Sequence, residues 1–281
     1  MGAVFTVDAA ATRFSGLTGS GTVKLGLAGP YPLKKLTVGV ADASSTFGSV
    51  IADGDAAAPF EKIGTGTLTY TGSTTYSGTT AVSAGKLVAN GVTSTSPVTV
   101  SAGAALGGSG TVGGVTTIAG IHSPGNSPGV QTFASTLTYQ AGSGLLWELA
   151  ANTTGTGSSD QIILPSANLA FSGSTAFTMA FDGAGSTVDW ANAFWNVDRS
   201  WLVYDLGSGV TTGFGNLTLG GSLLDSQGNT LSPAGRGYFT LGQSGQDVVL
   251  SFTAVPEPST AALAAIGIAA AAGLAARRRK G

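Results

Sequence analysis

Fourteen carboxylates, one histidine, four tryptophans and no cysteine are what this chain of 281 residues offers for chemistry. A lone histidine, His122, rules out a two-histidine relay and most zinc sites, and without thiols there is neither a disulfide framework nor a thiolate metal site. His122 stands in IHSPGNSPG, where Pro124, Gly125, Pro128 and Gly129 predict a turn, so it is expected in a turn or at the surface. Asp189, Asp198 and Asp205 are candidates for paired acid–base work. Such work needs two carboxylates in one cleft, which sequence spacing does not supply, so turn capping or solvent exposure is the expectation. Trp190, Trp195 and Trp201 fall within twelve residues and offer either a stacking platform for sugars or the centre of a core; packing is expected. Asp53–Gly54–Asp55 has carboxylates for a calcium loop but neither an EF-hand run nor a glycine-rich nonapeptide. The glycines of LGGSGTVGG lack the Gly-Lys-Ser/Thr of a phosphate loop. No catalytic residue, cofactor or metal ligand is assigned.

The elements that would position these residues are announced by composition. Charged residues are only 9% and hydrophobic residues 42% of the chain, with 45 glycines and abundant Ser and Thr. That is enough apolar material for a core, and glycine at this density without a collagen triplet points to many tight turns in an all-β protein. The net charge of -2 hides a segregation: four of the twelve basic residues are Arg277, Arg278, Arg279 and Lys280, which leaves residues 1–276 with eight basic against fourteen acidic groups. An acidic body carries no electrostatic footprint for nucleic acid.

The C-terminal stretch VPEPSTAALAAIGIAAAAGLAARRRKG concerns destination. From Ala261 to Ala276 no residue is polar or charged. Sixteen helical residues span roughly 24 Å, a little short of a bilayer core of about 30 Å, and snorkelling arginines with the Ser259–Thr260 flank make up the difference. The cations predict a cytoplasmic C-terminus and a body on the other side of the membrane. Pro256 and Pro258 set the span apart from the body. A buried Ala-rich helix does not account for four consecutive cations, and a GPI signal would end in its apolar run; an unprocessed C-terminal anchor fits the same topology. VPEPST, the short apolar span and RRRK together resemble the PEP-CTERM sorting signal of Gram-negative bacteria, over Val255 to Gly281. The resemblance implies that Pro256, Glu257 and Pro258 are the motif recognised by an exosortase, a membrane-embedded transpeptidase-like protease, which releases or transfers the body to the surface matrix. Export needs an entry signal, and MGAVFTVDAAATRF has no basic start before a continuous apolar core, since Asp8 interrupts it and Arg13 follows. An N-terminally truncated chain is the expectation.

The body repeats. Ala-Gly recurs at 84–85, 102–103, 119–120 and 141–142 inside the phrases TAVSAGKLV, VTVSAGAAL, VTTIAGIHS and LTYQAGSGL, each a short β-branched run, a turn and a second apolar run. A strand–turn–strand unit about every twenty residues is the requirement of a β-solenoid coil. Period-two alternation predicts Val82, Leu87, Val98, Val100, Leu106, Val112, Val115 and Ile118 inside and Ser/Thr outside. Gly103, Gly107, Gly108, Gly110, Gly113 and Gly114 are read as corners with φ > 0. GTGTLTYTGSTTYSGTTAVSAGKLVANG, VTVSAGAALGGSGTVGG and HSPGNSPGVQTF resemble the autotransporter-associated β-strand repeat, over about Leu36 to Leu149. The resemblance implies a right-handed β-helix on an exported bacterial protein, structural and without catalytic residues; a PEP tail stands where an autotransporter would have its barrel.

After the repeats, SSDQIIL and TAFTMAF continue the β pattern, with Phe177, Met179 and Phe181 on one face. Asp189 is expected to open a helical turn through Trp195, Trp201–Leu206 to form a strand, and GYFTLGQSGQDVVLSF a hairpin turning at Gly242–Gly245. The sequence thus predicts an all-β, right-handed parallel β-solenoid with a C-terminal β cap and a single C-terminal transmembrane helix. Its divisions are a partial β-repeat over 1–63, the solenoid over 64–150, a β-rich capping region over 151–254 and the sorting signal over 255–281. The expected role is structural or adhesive at the cell surface or in an exopolysaccharide matrix. Its partners would be an exosortase, the inner membrane before processing and exopolysaccharide. The alternatives are a polysaccharide lyase or hydrolase on the same scaffold, and a passive spacer.

Overall fold

The computed structural model describes residues 4–6, 11–26, 35–221, 223–231 and 236–255. Among them there is no α-helix, only two short 3-10 turns, Ala193–Asn196 and Phe214–Asn216. The strands stack as coils along three faces. The first face is a nine-stranded sheet and the second an eight-stranded one; the third consists of a four-stranded and a six-stranded sheet joined through Val92, which bridges to Ser73 and to Thr111. All pairings between strands are parallel until the last hairpin, so each coil hydrogen-bonds to the coil before and after it. Stacked parallel strands of this kind are compatible with the β-solenoid that the repeat predicts.

On the first face Phe60–Lys62, Thr80–Val82, Val98–Val100, Thr116–Ile118, Leu137–Tyr139 and Leu169–Phe171 lie side by side. The chain advances eighteen residues per coil from Thr80 to Val98 and again from Val98 to Thr116, then twenty-one from Thr116 to Leu137. The steps grow to thirty-two, from Leu137 to Leu169, and forty-two, from Leu169 to Thr211. The added residues lie at the corners around the third face, and the second of these insertions carries the three tryptophans. Parallel rungs run on past residue 63 and past residue 150, up to the strand Leu217–Gly220 on the second face. The stretch 151–254, read as a cap, therefore consists of wider coils closed by an antiparallel hairpin, Gly237–Ser244 with Asp247–Ala254, whose second strand also pairs antiparallel to Arg199–Leu206.

Register stacks like with like in the core. Val82, Val100, Ile118, Tyr139 and Phe171 form one inward column on the first face, and Leu68, Leu87, Leu106, His122, Leu145 and Phe177 form another on the second. The side chains grow along the first column as the coils widen, which keeps the interior filled; close packing requires this. Seven of the eight predicted inward residues are buried: Val82, Leu87, Val98, Val100, Leu106, Val112 and Ile118. Val115 is the exception at 52% exposure. It precedes the strand Thr116–Ile118, in which Thr116 and Ile118 point inward, so period two puts residue 115 outside.

The Ala-Gly dipeptides mark the corner between the first and second faces, and Gly85, Gly103 and Gly142 adopt φ of 65°, 81° and 82°. Of the six glycines expected at positive φ, only Gly103 and Gly108 take it. The others serve close approach instead: a Cβ on Gly114 would lie 1.8 Å from the carbonyl oxygen of Ser96 in the preceding coil. Stacked corners bring backbone against backbone, and that contact selects glycine there.

Candidate functional site

His122 is not in a turn. It lies in the strand Ile121–Pro124, fully buried, in a slot that its neighbours in the column fill with Leu106 and Leu145. The Pro-Gly signals belong to the residues just after it, and in the strand Ile121 faces out and His122 in. Its Nε2–H donates to Gln131 Oε1 at 2.8 Å, because the Gln131 amide nitrogen is spent on the Gly107 carbonyl at 3.0 Å. Nδ1 is then left to accept from the Tyr139 hydroxyl. Phe133 packs edge-on against the imidazole at 5.4 Å. Burial pushes the His122 pKa down to about 4, against the raising effect of Gln131, and nearby Lys86 lowers it further. It is a neutral, satisfied core residue.

The tryptophans are brought together, but inside. Trp190, Trp195 and Trp201 are buried, with ring centroids 4.6 Å apart for the first pair and 5.9 Å for the second, and Phe239 and Phe252 pack among them. Their indole N–H groups donate to Leu223 O, Asn152 Oδ1 and Thr153 O. The cluster therefore has no free face for a sugar and forms the core of the widest coil.

The carboxylates are dispersed in role. Asp189 accepts from Ala191 N and closes a tight turn, while the cap of the 3-10 turn Ala193–Asn196 is Asn192, which accepts from Phe194 N. The helical turn expected from Asp189 thus starts three residues later. Asp198 accepts from Ala254 N at 2.9 Å and pins the end of the last strand. Asp205 lies within the strand Arg199–Leu206, opposite Ile163. That strand begins two residues before the expected Trp201. Asp53 accepts both the backbone N–H and the hydroxyl of Ser77 in the next coil. Among the described residues no group of three or more His, Cys, Asp or Glu is placed to hold a metal ion.

Three buried polar residues had no signal in the sequence reading. Asp160 accepts from Gly129 N at 2.8 Å and Glu148 N at 3.0 Å, and burial pushes its pKa up to about 8. Asp225 accepts from Trp190 N, Gln227 N, Asn229 N and the Asn229 amide; burial acts to raise its pKa, but these donors hold it below the usual carboxylate range. Lys62 follows the inward alternation of its strand and caps the carbonyls of Ile63, Gly64 and Ala84 at 2.6, 2.9 and 3.2 Å. Desolvation lowers its pKa, partly offset by Asp42. Each ties one segment to another, and each carries polar partners that its burial demands.

Two open hollows, of about 290 and 310 Å3, lie at opposite ends of the chain. The larger is lined by Trp190, Asp225, Asn229 and Arg236, and its carboxylate is fully engaged as described. Inside the coils a gap of about 20 Å3 beside Tyr76 and Thr80 has room for one water.

The last described residues lead to the sorting segment. Leu250 and Phe252 are buried, Gly237 pairs with Ala254, and Val255 N donates to Arg236 O at 2.8 Å. The hairpin turn lies at Gly245–Gln246, between the paired Ser244 and Asp247, rather than at Gly242–Gly245. Gly245, at φ 64°, takes the position there that disfavours a side chain. Pro256, Glu257, Pro258 and the cluster Arg277, Arg278, Arg279 and Lys280 lie outside the described residues, as does the apolar run expected to span the membrane. Among the described residues no helix is long and apolar enough to cross a bilayer.

Residues 254–280 match the PEP-CTERM protein-sorting motif. No curated protein matches the chain. PEP-CTERM motifs are recognised by exosortase, so the match points to an exported surface protein that is anchored in the membrane before exosortase acts on it.

Proposed function

We propose that this chain is a structural or adhesive component of the cell surface or exopolysaccharide matrix. In this reading a rigid β-solenoid body is delivered by its C-terminal sorting segment. Residues 261–276 form the transmembrane helix, with Arg277 to Lys280 on the cytoplasmic side. Pro256, Glu257 and Pro258 are the exosortase recognition motif. The coils wind right-handed, the hand that parallel crossovers overwhelmingly take. The body up to residue 254 and the sorting segment 255–281 are its two functional parts, and the repeats are of the autotransporter-associated β-strand kind that they resemble. The carrying observation is the sorting-motif match joined, without a linker, to a body fixed through Val255.

Adhesion is supported by the first face. From Ala81 onward its outward row runs Ala81, Thr99, Thr117, Thr138, Ala170 and Thr212 without a charge, while Arg13 and the Lys35-paired Glu61 stand in the same row of the earlier coils. Neighbouring strands are about 4.8 Å apart, so these side chains form a regular uncharged ladder suited to many weak hydrogen bonds with a neutral glycan. The protein has no catalytic role in this reading. Intact mass and fractionation of the native protein test the sorting step: loss of the terminal residues from the mature form is expected, and retention of the whole tail would refute processing. Replacing Thr99, Thr117 and Thr138 with Asp is expected to lower co-sedimentation with exopolysaccharide; unchanged association would refute adhesion through this face.

A further inference from the structure

The end of the body that leads into the sorting segment carries an apolar rim. Val197, Tyr238 and Val255 are 52%, 54% and 50% exposed. Tyr238 and Val255 share the outward side of the closing hairpin where the chain leaves the fold, and Val197 stands at the same end beside Asp198. Tyr238 pairs with Thr253, Val255 N bonds Arg236 O, and Asp198, next to Val197, accepts from Ala254 N. Two cations lie at this end of the body: Arg236, whose Nη1 donates to Asn196 Oδ1, and Arg199, stacked on the Phe194 ring at 4.2 Å.

We infer that this rim docks on the lipid headgroup interface of the membrane that holds the tail. The inference rests on the sorting reading above, and the length of chain beyond Val255 supplies its main argument. Only Pro256–Thr260 separate Val255 from the apolar run at Ala261. Six Cα steps reach at most about 20 Å, so the closing hairpin is held at the bilayer surface. Tyrosine with an apolar body and a polar tip, flanked by arginine, is the composition that settles at that interface. The surface also fits the constraint sterically, because Thr253 and Val255 follow the outward parity of the last strand. Docking would fix the orientation of the solenoid and present the sorting motif at a constant height.

The cysteine-free chain allows a direct test. The full chain carries a single spin-labelled cysteine, Thr253→Cys in the rim or Thr117→Cys on the coils, and is reconstituted in phosphatidylcholine–phosphatidylglycerol vesicles. The rim label is expected to lose most of its collisions with a water-soluble nickel chelate and gain collisions with oxygen, while the coil label does neither. Adding Tyr238→Ser and Val255→Ser to the rim-labelled chain should restore chelate access. A rim label as wet as the coil label, in protein that floats with the vesicles, overturns docking and leaves the anchor intact. Failure to float with vesicles overturns the anchor and docking together. A rim label shielded only when exosortase is present would assign the rim to that protein and overturn the lipid assignment.

Discussion

Acidification to pH 4 is expected to weaken this fold through His122. His122 is neutral and fully hydrogen-bonded in the core, with its pKa pushed down to about 4. In the unfolded chain a histidine titrates near 6.5. Because the folded value is the lower one, the stabilising difference is complete above pH 6.5 and is lost as pH falls through 4. At 1.36 kcal/mol per pH unit, the gap amounts to about 3 kcal/mol, a sizeable share of a typical domain's stability. The structural reason is the tautomer: Gln131 can only accept from Nε2, so a second proton must go to Nδ1, opposite the Tyr139 hydroxyl. Tyr139 would then have to turn its own proton away from Nδ1, towards the buried Tyr204 hydroxyl beside it. The assay is urea unfolding of the full chain in detergent between pH 7 and 4, for wild type and His122→Gln, so that the carboxylates common to both cancel. The wild type should lose about 3 kcal/mol more than the variant over this range, by the same conversion. Carbon-labelled histidine NMR reads the same proton directly, since the chain has only one histidine. A midpoint near 6.5, or equal pH dependence in the two proteins, would refute the argument.

Other consequences are measurable by the same unfolding experiment. Phe252→Ala should cost about 3–5 kcal/mol by emptying a site among Trp195 and Phe239, and should loosen the last strand that leads to the sorting motif. Lys62→Met should cost about 2–4 kcal/mol, because three backbone carbonyls lose their shared donor inside the coil. Gly114→Ala should prevent close stacking of two coils, whereas Gly215→Ala, with nothing within 4 Å of its Cβ, should be nearly neutral. Val115→Lys should change stability by less than about 0.5 kcal/mol while Val112→Lys unfolds the coil, which separates outward from inward register.

The sequence by itself determined the repeat, the period-two core and the sorting tail. Each is a local pattern: an Ala-Gly corner, a β-branched alternation, a Pro-Glu-Pro before an apolar run and four cations. Such patterns survive without knowledge of what lies across the chain. Only the tertiary structure decided which side of the register Val115 and His122 occupy, since one residue of slip exchanges inside for outside. It also decided why Gly114 is a glycine, because the carbonyl it must avoid belongs to Ser96 in another coil. The burial of Trp190, Trp195 and Trp201, and the partners of Lys62, Asp160 and Asp225, depend likewise on segments brought together by stacking. A buried polar group is defined by its distant donors and acceptors, and those are set by the coil-to-coil register, which no short stretch of residues contains.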